Sequence, residues 1–162
     1  MTPNFSIKHS NYRVHEIPAI VAMAVYEKDC ADWIDQAIGS IRQQSYSDFL
    51  YVIVIDGHIS PELLAVIMQH ADNDERLVII EGSANRGLAT CMNFAIDWSL
   101  SLKPQYFFRM DADDISEFNR LEKQITYLTK HAHVAILGTG LIEINEQNNQ
   151  VGSRVMPQTN RQ

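Results

Sequence analysis

Between Pro18 and Leu128 the chain alternates short, unbroken apolar runs with stretches in which apolar side chains recur every three or four positions. Ala19 to Val25 is continuously apolar, as a parallel strand covered on both faces requires. Trp33, Ile34, Ala37, Ile38 and Ile41 then fall on one stripe of a helix. Tyr51 to Ile55 is a second buried strand and ends at Asp56-Gly57. Ser60-Pro61 has the form of an N-cap followed by proline at the first helical position, with Leu63, Leu64, Ile67 and Met68 as the apolar face. Leu77 to Ile80 is a third strand. After a turn at Asn85-Arg86-Gly87, residues Leu88, Cys91, Met92, Ala95 and Ile96 predict another helix. Tyr106 to Met110 is a fourth strand, and Phe118, Leu121, Ile125 and Leu128 mark a helix beginning near Glu117. Val134 to Leu137 and Leu141 to Ile144 read as a fifth and a sixth strand. The alternation predicts an α/β domain with a mostly parallel sheet and right-handed crossovers. Residues 1–16 read as a polar lead-in, 17–146 as the domain, and 147–162 as a polar tail expected to be loose.

Open parallel sheets bind ligands at the carboxyl ends of their strands. Polar residues stand just after each predicted strand: Tyr26-Glu27, Asp56, Asn85-Arg86, and Asp111 with Asp113. The densest stretch is Arg109-Met110-Asp111-Ala112-Asp113-Asp114. If it continues as extended chain, Asp111 and Asp113 share one face with Arg109 behind them. Like charges held so close raise each other's pKa unless a cation lies between them or solvent screens them. Two readings stay open: a divalent metal site, or carboxylates that pair with Arg109 and cap the next helix. Asp114 and Glu117 fit an Asp-x-x-Glu capping box.

Composition narrows the partners. The chain has 162 residues, 46% hydrophobic and 20% charged, the profile of one soluble globular domain. Its formal charge of −7 leaves no electrostatic footprint for nucleic acid, so an anionic ligand must be held by local devices such as a metal, a helix N-terminus or single basic residues. Cys30 and Cys91 form no CxxC pair, which gives neither a disulfide framework nor a zinc knuckle and fits a reducing compartment. The longest apolar run, Ile17 to Tyr26, is too short to span a bilayer, which takes about 20 residues. The expected location is cytoplasmic, with peripheral attachment at the inner face of the cell membrane left open.

Four blocks in order carry a resemblance: Ala24-Val25-Tyr26; Val54-Ile55-Asp56-Gly57; Asn85-Arg86-Gly87-Leu88-Ala89 with Asn93; and Arg109 to Asp114 followed by Arg120-Leu121. Together they resemble the nucleotide-binding half of family-2 glycosyltransferases with the GT-A fold, over residues 18–145. The resemblance implies a three-layer αβα, Rossmann-like architecture, C-terminally shortened. It makes Asp111 and Asp113 a DXD motif, with Asp113 holding Mg2+ or Mn2+ on the diphosphate of a nucleotide-sugar and Asp111 assisting. Ala24, Tyr26, Glu27, Asn85 and Arg86 would line the nucleotide site. Asp56 would accept a hydrogen bond from the base, commonly uracil, whereas an Asp-Gly turn is its plain alternative. The family often has an acidic residue before this Asp and Ser after the Gly; Ile55 and His58 stand there.

The implied function is inverting transfer from a UDP-sugar to a glycan or lipid-linked glycan in cell-surface polysaccharide or lipopolysaccharide synthesis. Such a reaction also needs a general base, and neither Glu143, Glu146 nor the polar tail offers a convincing one. A non-catalytic remnant that binds nucleotide or a partner chain is therefore the competing reading. A nucleotidyltransferase is a weaker third, for lack of a Gly-rich phosphate loop near the first strand. A shortened domain is also expected to self-associate.

Overall fold

A computed structural model of the chain describes residues 4–12 and 17–156. The chain divides into two compact units between Lys123 and Gln124. The first holds a five-stranded sheet built from β1 (Phe5–Ser10), β2 (Ala19–Val25), β3 (Phe49–Ile55), β4 (Leu77–Gly82) and β5 (Tyr106–Met110). Helices α1 (Ala31–Arg42), α2 (Pro61–Asp72) and α3 (Leu88–Leu100) connect the strands, and α4 (Arg120–Lys130) follows β5. The second unit carries a two-stranded antiparallel sheet of β6 (Leu141–Ile144) and β7 (Gln150–Arg154).

The strand order is β1-β4-β3-β2-β5, with β2, β3, β4 and β5 parallel and β1 antiparallel to β4. Chain order therefore runs one way from β2 through β3 to β4, then crosses back to place β5 on the other side of β2. All of β3 and nearly all of β2 are buried, which is why both read as unbroken apolar runs. Ile20, Ala22, Leu50, Val52, Val54, Val78 and Ile80 form one face and pack with Cys91 and Ala95 of α3. By the alternation of strand side chains, Val21, Met23, Tyr51 and Ile53 face the opposite layer, where α1 and α2 pack together. The predicted caps hold at α2, where the Ser60 hydroxyl accepts from the Leu63 amide at 3.1 Å and Pro61 opens the helix.

Several expectations are corrected. The 1–16 stretch contributes β1, a polar edge strand whose Phe5 stacks on Phe94 at 4.3 Å and whose Lys8 pairs with Glu81 at 2.8 Å. Its polarity is what an edge strand with one solvated side requires. Val134 to Leu137 forms no strand: Ile136 is 91% exposed, and an apolar run without a ladder partner has nothing to pair its backbone. Leu141 to Ile144 is a strand, but of the separate hairpin, whose return strand β7 lies within the expected loose tail. Residues 1–3, 13–16 and 157–162 lie outside the described residues. Trp33, placed on the buried stripe of α1, is 51% exposed; Ile34, Ala37, Ile38 and Ile41 alone fill that stripe.

An ion-pair cluster ties α1 and α2 to β4. Asp74 accepts from Arg42 Nε at 3.1 Å and from Arg76 Nη2 at 2.7 Å, while Arg42 Nη1 meets His70 Nδ1 at 2.7 Å. Arg42 has only donors, so His70 Nδ1 accepts and its Nε2–H donates to Asp35 at 2.7 Å. Burial alone would raise the Asp74 carboxyl, but hydrogen bonds from the Arg76 side chain and backbone, with help from Arg42, hold it below its ordinary value. A carboxyl depressed in the folded state stabilises the fold above its unfolded pKa, and that stability is lost as pH falls through the folded one. Asp74→Asn is therefore expected to cost about 2 kcal/mol at pH 7. The gap should close below about pH 3.9, and urea unfolding of both proteins at pH 7 and in acid measures it.

Candidate nucleotide-sugar and metal site

In a doubly wound sheet the crevice lies where strand order reverses, here between the carboxyl ends of β2 and β5. Met23 and Met110 are paired across that junction, so the loops that follow them open side by side. From β2 the chain turns through Tyr26, Glu27 and Lys28 to Asp29, whose Oδ2 accepts from the Tyr26 amide at 2.9 Å. From β5 it turns sharply: the Asp114 amide donates to the Asp111 carbonyl at 3.3 Å. Asp111 to Asp114 is thus a turn and not an extension of the strand, so the simple alternation that put Asp111 and Asp113 on one face does not apply.

The carboxylates have different surroundings. Asp111 Oδ1 accepts from Arg109 Nε at 2.9 Å and Nη2 at 2.6 Å, an exposed pair that leaves its other oxygen without a hydrogen bond among the described residues. The Asp113 side chain, exposed, makes no hydrogen bond or ion pair among the described residues. Its charge is nevertheless felt across the junction. Burial raises the Asp29 carboxyl, the Tyr26 amide bond opposes this, and the Asp113 charge raises it further. Asp114 is raised by burial and by Asp111 and Asp113, against the pull of Arg120 and Arg109. Crowded carboxylates of this kind favour a bound cation.

The Asp114/Glu117 capping box is not formed, because α4 starts only at Arg120. Buried Gln44, at the end of α1, explains the delay. Its Nε2 donates to Ser116 Oγ at 3.1 Å and to the Glu117 carbonyl at 2.8 Å, and its Oε1 caps the Leu121 amide at 3.0 Å. Segment 116–121 is pinned from α1, and Phe118, expected on the helix, is left 64% exposed outside it.

Asp56, at the end of β3, is only 3% exposed. Its oxygens accept from the amides of Arg86 at 2.7 Å and Gly87 at 2.8 Å, and it accepts from the Cys91 thiol. Burial first, then the Asp56 charge and hydrogen bond, push that thiol up to about 12. Gly57 follows at φ +85°, and a Cβ there would stand 2.5 Å from the Asn85 amide nitrogen, so only glycine lets the two loops close on each other. Asp56 therefore fixes the Asn85-Arg86-Gly87 loop and the start of α3, where Gly87 is the N-cap. The Asn85 and Arg86 side chains are exposed there, beside free helix-start amides suited to an anion.

The remaining expected residues line the same edge. Ala24 is half-buried on β2 against the α3 side, Tyr26 is 40% exposed, and Glu27 is exposed in the turn. Tyr26, Asp56, Arg86, Asp111 and Asp113 thus belong to four adjacent strand ends. Asp29, Gln44 and Arg120 have site positions that the sequence reading did not assign. The order of the strands was the missing signal for Asp29, since only the neighbouring of β2 and β5 puts it opposite Asp113.

The donor set suits one mode of metal binding. No group of three or more His, Cys, Asp or Glu able to enclose a metal occurs among the described residues. The free Asp113 carboxylate and the open oxygen of Asp111 instead match a cation held by one or two carboxylates and completed by phosphate oxygens.

A family model described as Glycosyl transferase family 2 matches residues 20–161, from the second residue of β2 onward. The chain belongs to glycosyl transferase family 2. This family-2 chain is 30% identical over 137 residues to "Putative glycosyltransferase EpsE" of Bacillus subtilis (strain 168), covering 85% of the chain and 47% of that protein. It is 33% identical over 126 residues to "Amylovoran biosynthesis glycosyltransferase AmsE" of Erwinia amylovora, covering 78% and 46%. The chain spans about half the length of these curated relatives. Among solved structures it resembles the mannosyltransferase PcManGT from Pyrobaculum calidifontis in complex with GDP-Man and Mn2+, with TM-score 0.55, 18% identity and coverage of 77% of the chain and 34% of that one. The fold of this family-2 chain is GT-A, with helices on both faces of a mostly parallel sheet.

Proposed function

We propose that the chain binds a nucleotide-sugar, specifically a UDP-sugar, with Mg2+ or Mn2+, and supplies the donor half of an inverting transfer. The acceptor is a glycan or lipid-linked glycan of a cell-surface polysaccharide or lipopolysaccharide, reached from the cytoplasmic side of the membrane. The observation that carries this reading is the junction of β2 and β5, where Asp113, without a hydrogen bond or ion pair among the described residues, adds its charge to the field at Asp29 beside the Asp111–Arg109 pair. Tyr26 offers a face for the base, and Asp56 keeps acceptor capacity toward it beyond the loop amides. Arg86 and the start of α3 face the diphosphate. A divalent cation supplies charge stabilisation to the departing diphosphate. The amylovoran enzyme and the GDP-mannose and Mn2+ complex support the glycan and metal parts of the reading.

No helix among the described residues is long and apolar enough to cross a membrane. Exposed Leu88, Ile96 and Leu100 along α3 support self-association. Glu143, one of the carboxylates considered as a base, is committed to Arg154 within the hairpin. That favours a second reading in which this stretch binds donor without turning it over. The expected result is a rise in melting temperature with UDP plus Mn2+ that exceeds the rise with either alone, and with GDP in place of UDP a smaller one. No shift with any nucleotide and metal removes the donor-site reading. Hydrolysis of a UDP-sugar separates turnover from binding alone.

A further inference from the structure

Arg120 opens α4 directly behind the carboxylate turn, and its guanidinium is largely without partners. Nη1 makes one weak contact, to Met110 Sδ at 3.7 Å, while Nε and Nη2 are buried with no hydrogen-bond partner among the described residues. A buried charged donor left unpaired is costly, more so than a neutral one, and so calls for a physical reason. The charged and titratable groups it feels are the Tyr51 phenol and the Asp114 and Asp111 carboxylates. Tyr51 is fully buried and its hydroxyl is directed to Met23 Sδ at 3.2 Å. Asp111 is already held by Arg109. Asp114, exposed, makes no side-chain hydrogen bond or ion pair among the described residues.

The two ends of this arrangement differ in freedom. Gln44 clamps segment 116–121 through three hydrogen bonds, which makes the Arg120 backbone a fixed point. Between that clamp and β5 lie only Asp111 to Ile115, the turn that bears the carboxylates. A guanidinium with two free donors, carried on a fixed backbone, thus feels the field of an exposed carboxylate on the adjoining turn.

We propose that Arg120 is a positioning residue for the carboxylate turn, taking the Asp114 carboxylate onto its free Nε and Nη2 donors when a divalent cation and a nucleoside diphosphate engage Asp113 and Asp111. Pairing Asp114 inward withdraws one of three crowded negative charges and fixes the direction of the other two. The inference rests on the donor-site reading above, which supplies the ligand. Partners that orient ligating carboxylates are worth about 10–100-fold in metal affinity.

Calorimetric titration of Mn2+ into the UDP-saturated chain tests this with wild type, Arg120→Lys, Asp114→Asn, the double variant and Asp113→Ala. Arg120→Lys and Asp114→Asn are each expected to weaken Mn2+ about 10-fold. The double variant should be no weaker than the worse single one, because both remove the same contact. UDP affinity without metal should stay unchanged in all three, a split that general loss of structure would not produce. If Arg120→Lys fails to fold by circular dichroism, Asp114→Asn carries the test, since it alters an exposed side chain. Wild-type Mn2+ affinity in Asp114→Asn overturns the proposal. Additive losses do the same, and so does a loss in Asp114→Asn with none in a folded Arg120→Lys, which would make Asp114 a metal ligand. Loss in Asp113→Ala with neither other variant affected overturns the role of Arg120 alone. Undiminished metal-dependent UDP binding in Asp113→Ala, or none in wild type, overturns the donor site together with it.

Discussion

Asp113→Ala is expected to abolish the metal-dependent part of UDP binding, a loss of more than about 100-fold, while leaving thermal unfolding without ligand essentially unchanged. The two halves of this expectation come from the same observation. Asp113 is exposed and holds no hydrogen bond or ion pair among the described residues, so the fold does not lean on it. Surface changes of this type stay within about 0.5 kcal/mol. Its charge, however, reaches both Asp29 across the strand junction and Asp114 beside it, raising both carboxyls. Removing it relaxes that repulsion, so any change in unliganded stability should be upward. Calorimetry with UDP, with and without Mn2+, and melting curves of the unliganded proteins measure the two effects separately. Equal Mn2+-dependent affinity in both proteins would mean that the cation is held elsewhere. A large drop in unliganded melting temperature would instead give Asp113 a structural role.

The contrast between Asp113 and its neighbours shows what a sequence reading reaches and where it stops. The residue types and their places after apolar runs identify strand ends, so Tyr26, Asp56, Arg86, Asp111 and Asp113 are each legible in the sequence as residues that follow a strand, the edge where parallel sheets put ligands. The order of strands is a tertiary fact. Without it, Asp29 is one more polar residue in a turn, and its coupling to Asp113 is invisible. Local periodicity also misleads where a distant side chain takes over a local task. The Asp114-x-x-Glu117 signal is a sound capping pattern, yet buried Gln44 from α1 holds that segment open and starts the helix at Arg120. The same limit explains the edge strand β1 and the hairpin strand β7, short and mostly polar sequences that depend on β4 and β6 for their pairing. It explains Val134 to Leu137 in reverse, an apolar run with no partner strand.

Asp56→Asn should lower both fold stability and donor affinity, and the pairing of those losses decides what Asp56 does. A carboxylate has acceptors only, and here the Arg86 amide, the Gly87 amide and the Cys91 thiol all donate to it in a site 3% exposed. Asparagine keeps one acceptor oxygen and turns an N–H2 toward a donor that needs an acceptor, leaving at least one loop amide without its part-buried bond. Each such group costs about 1–3 kcal/mol, and loss of the charge weakens the bond that remains. An expected fall of about 2–4 kcal/mol in unfolding free energy follows, readable by urea titration. The loop released is the one that presents Arg86 and the α3 N-terminus, so UDP affinity should also fall, by about 10-fold or more, at a temperature where both proteins are folded. Had Asp56 served the base alone, affinity would drop with stability untouched. Had it been only a turn residue, Asn, which suits turns equally well, would change neither.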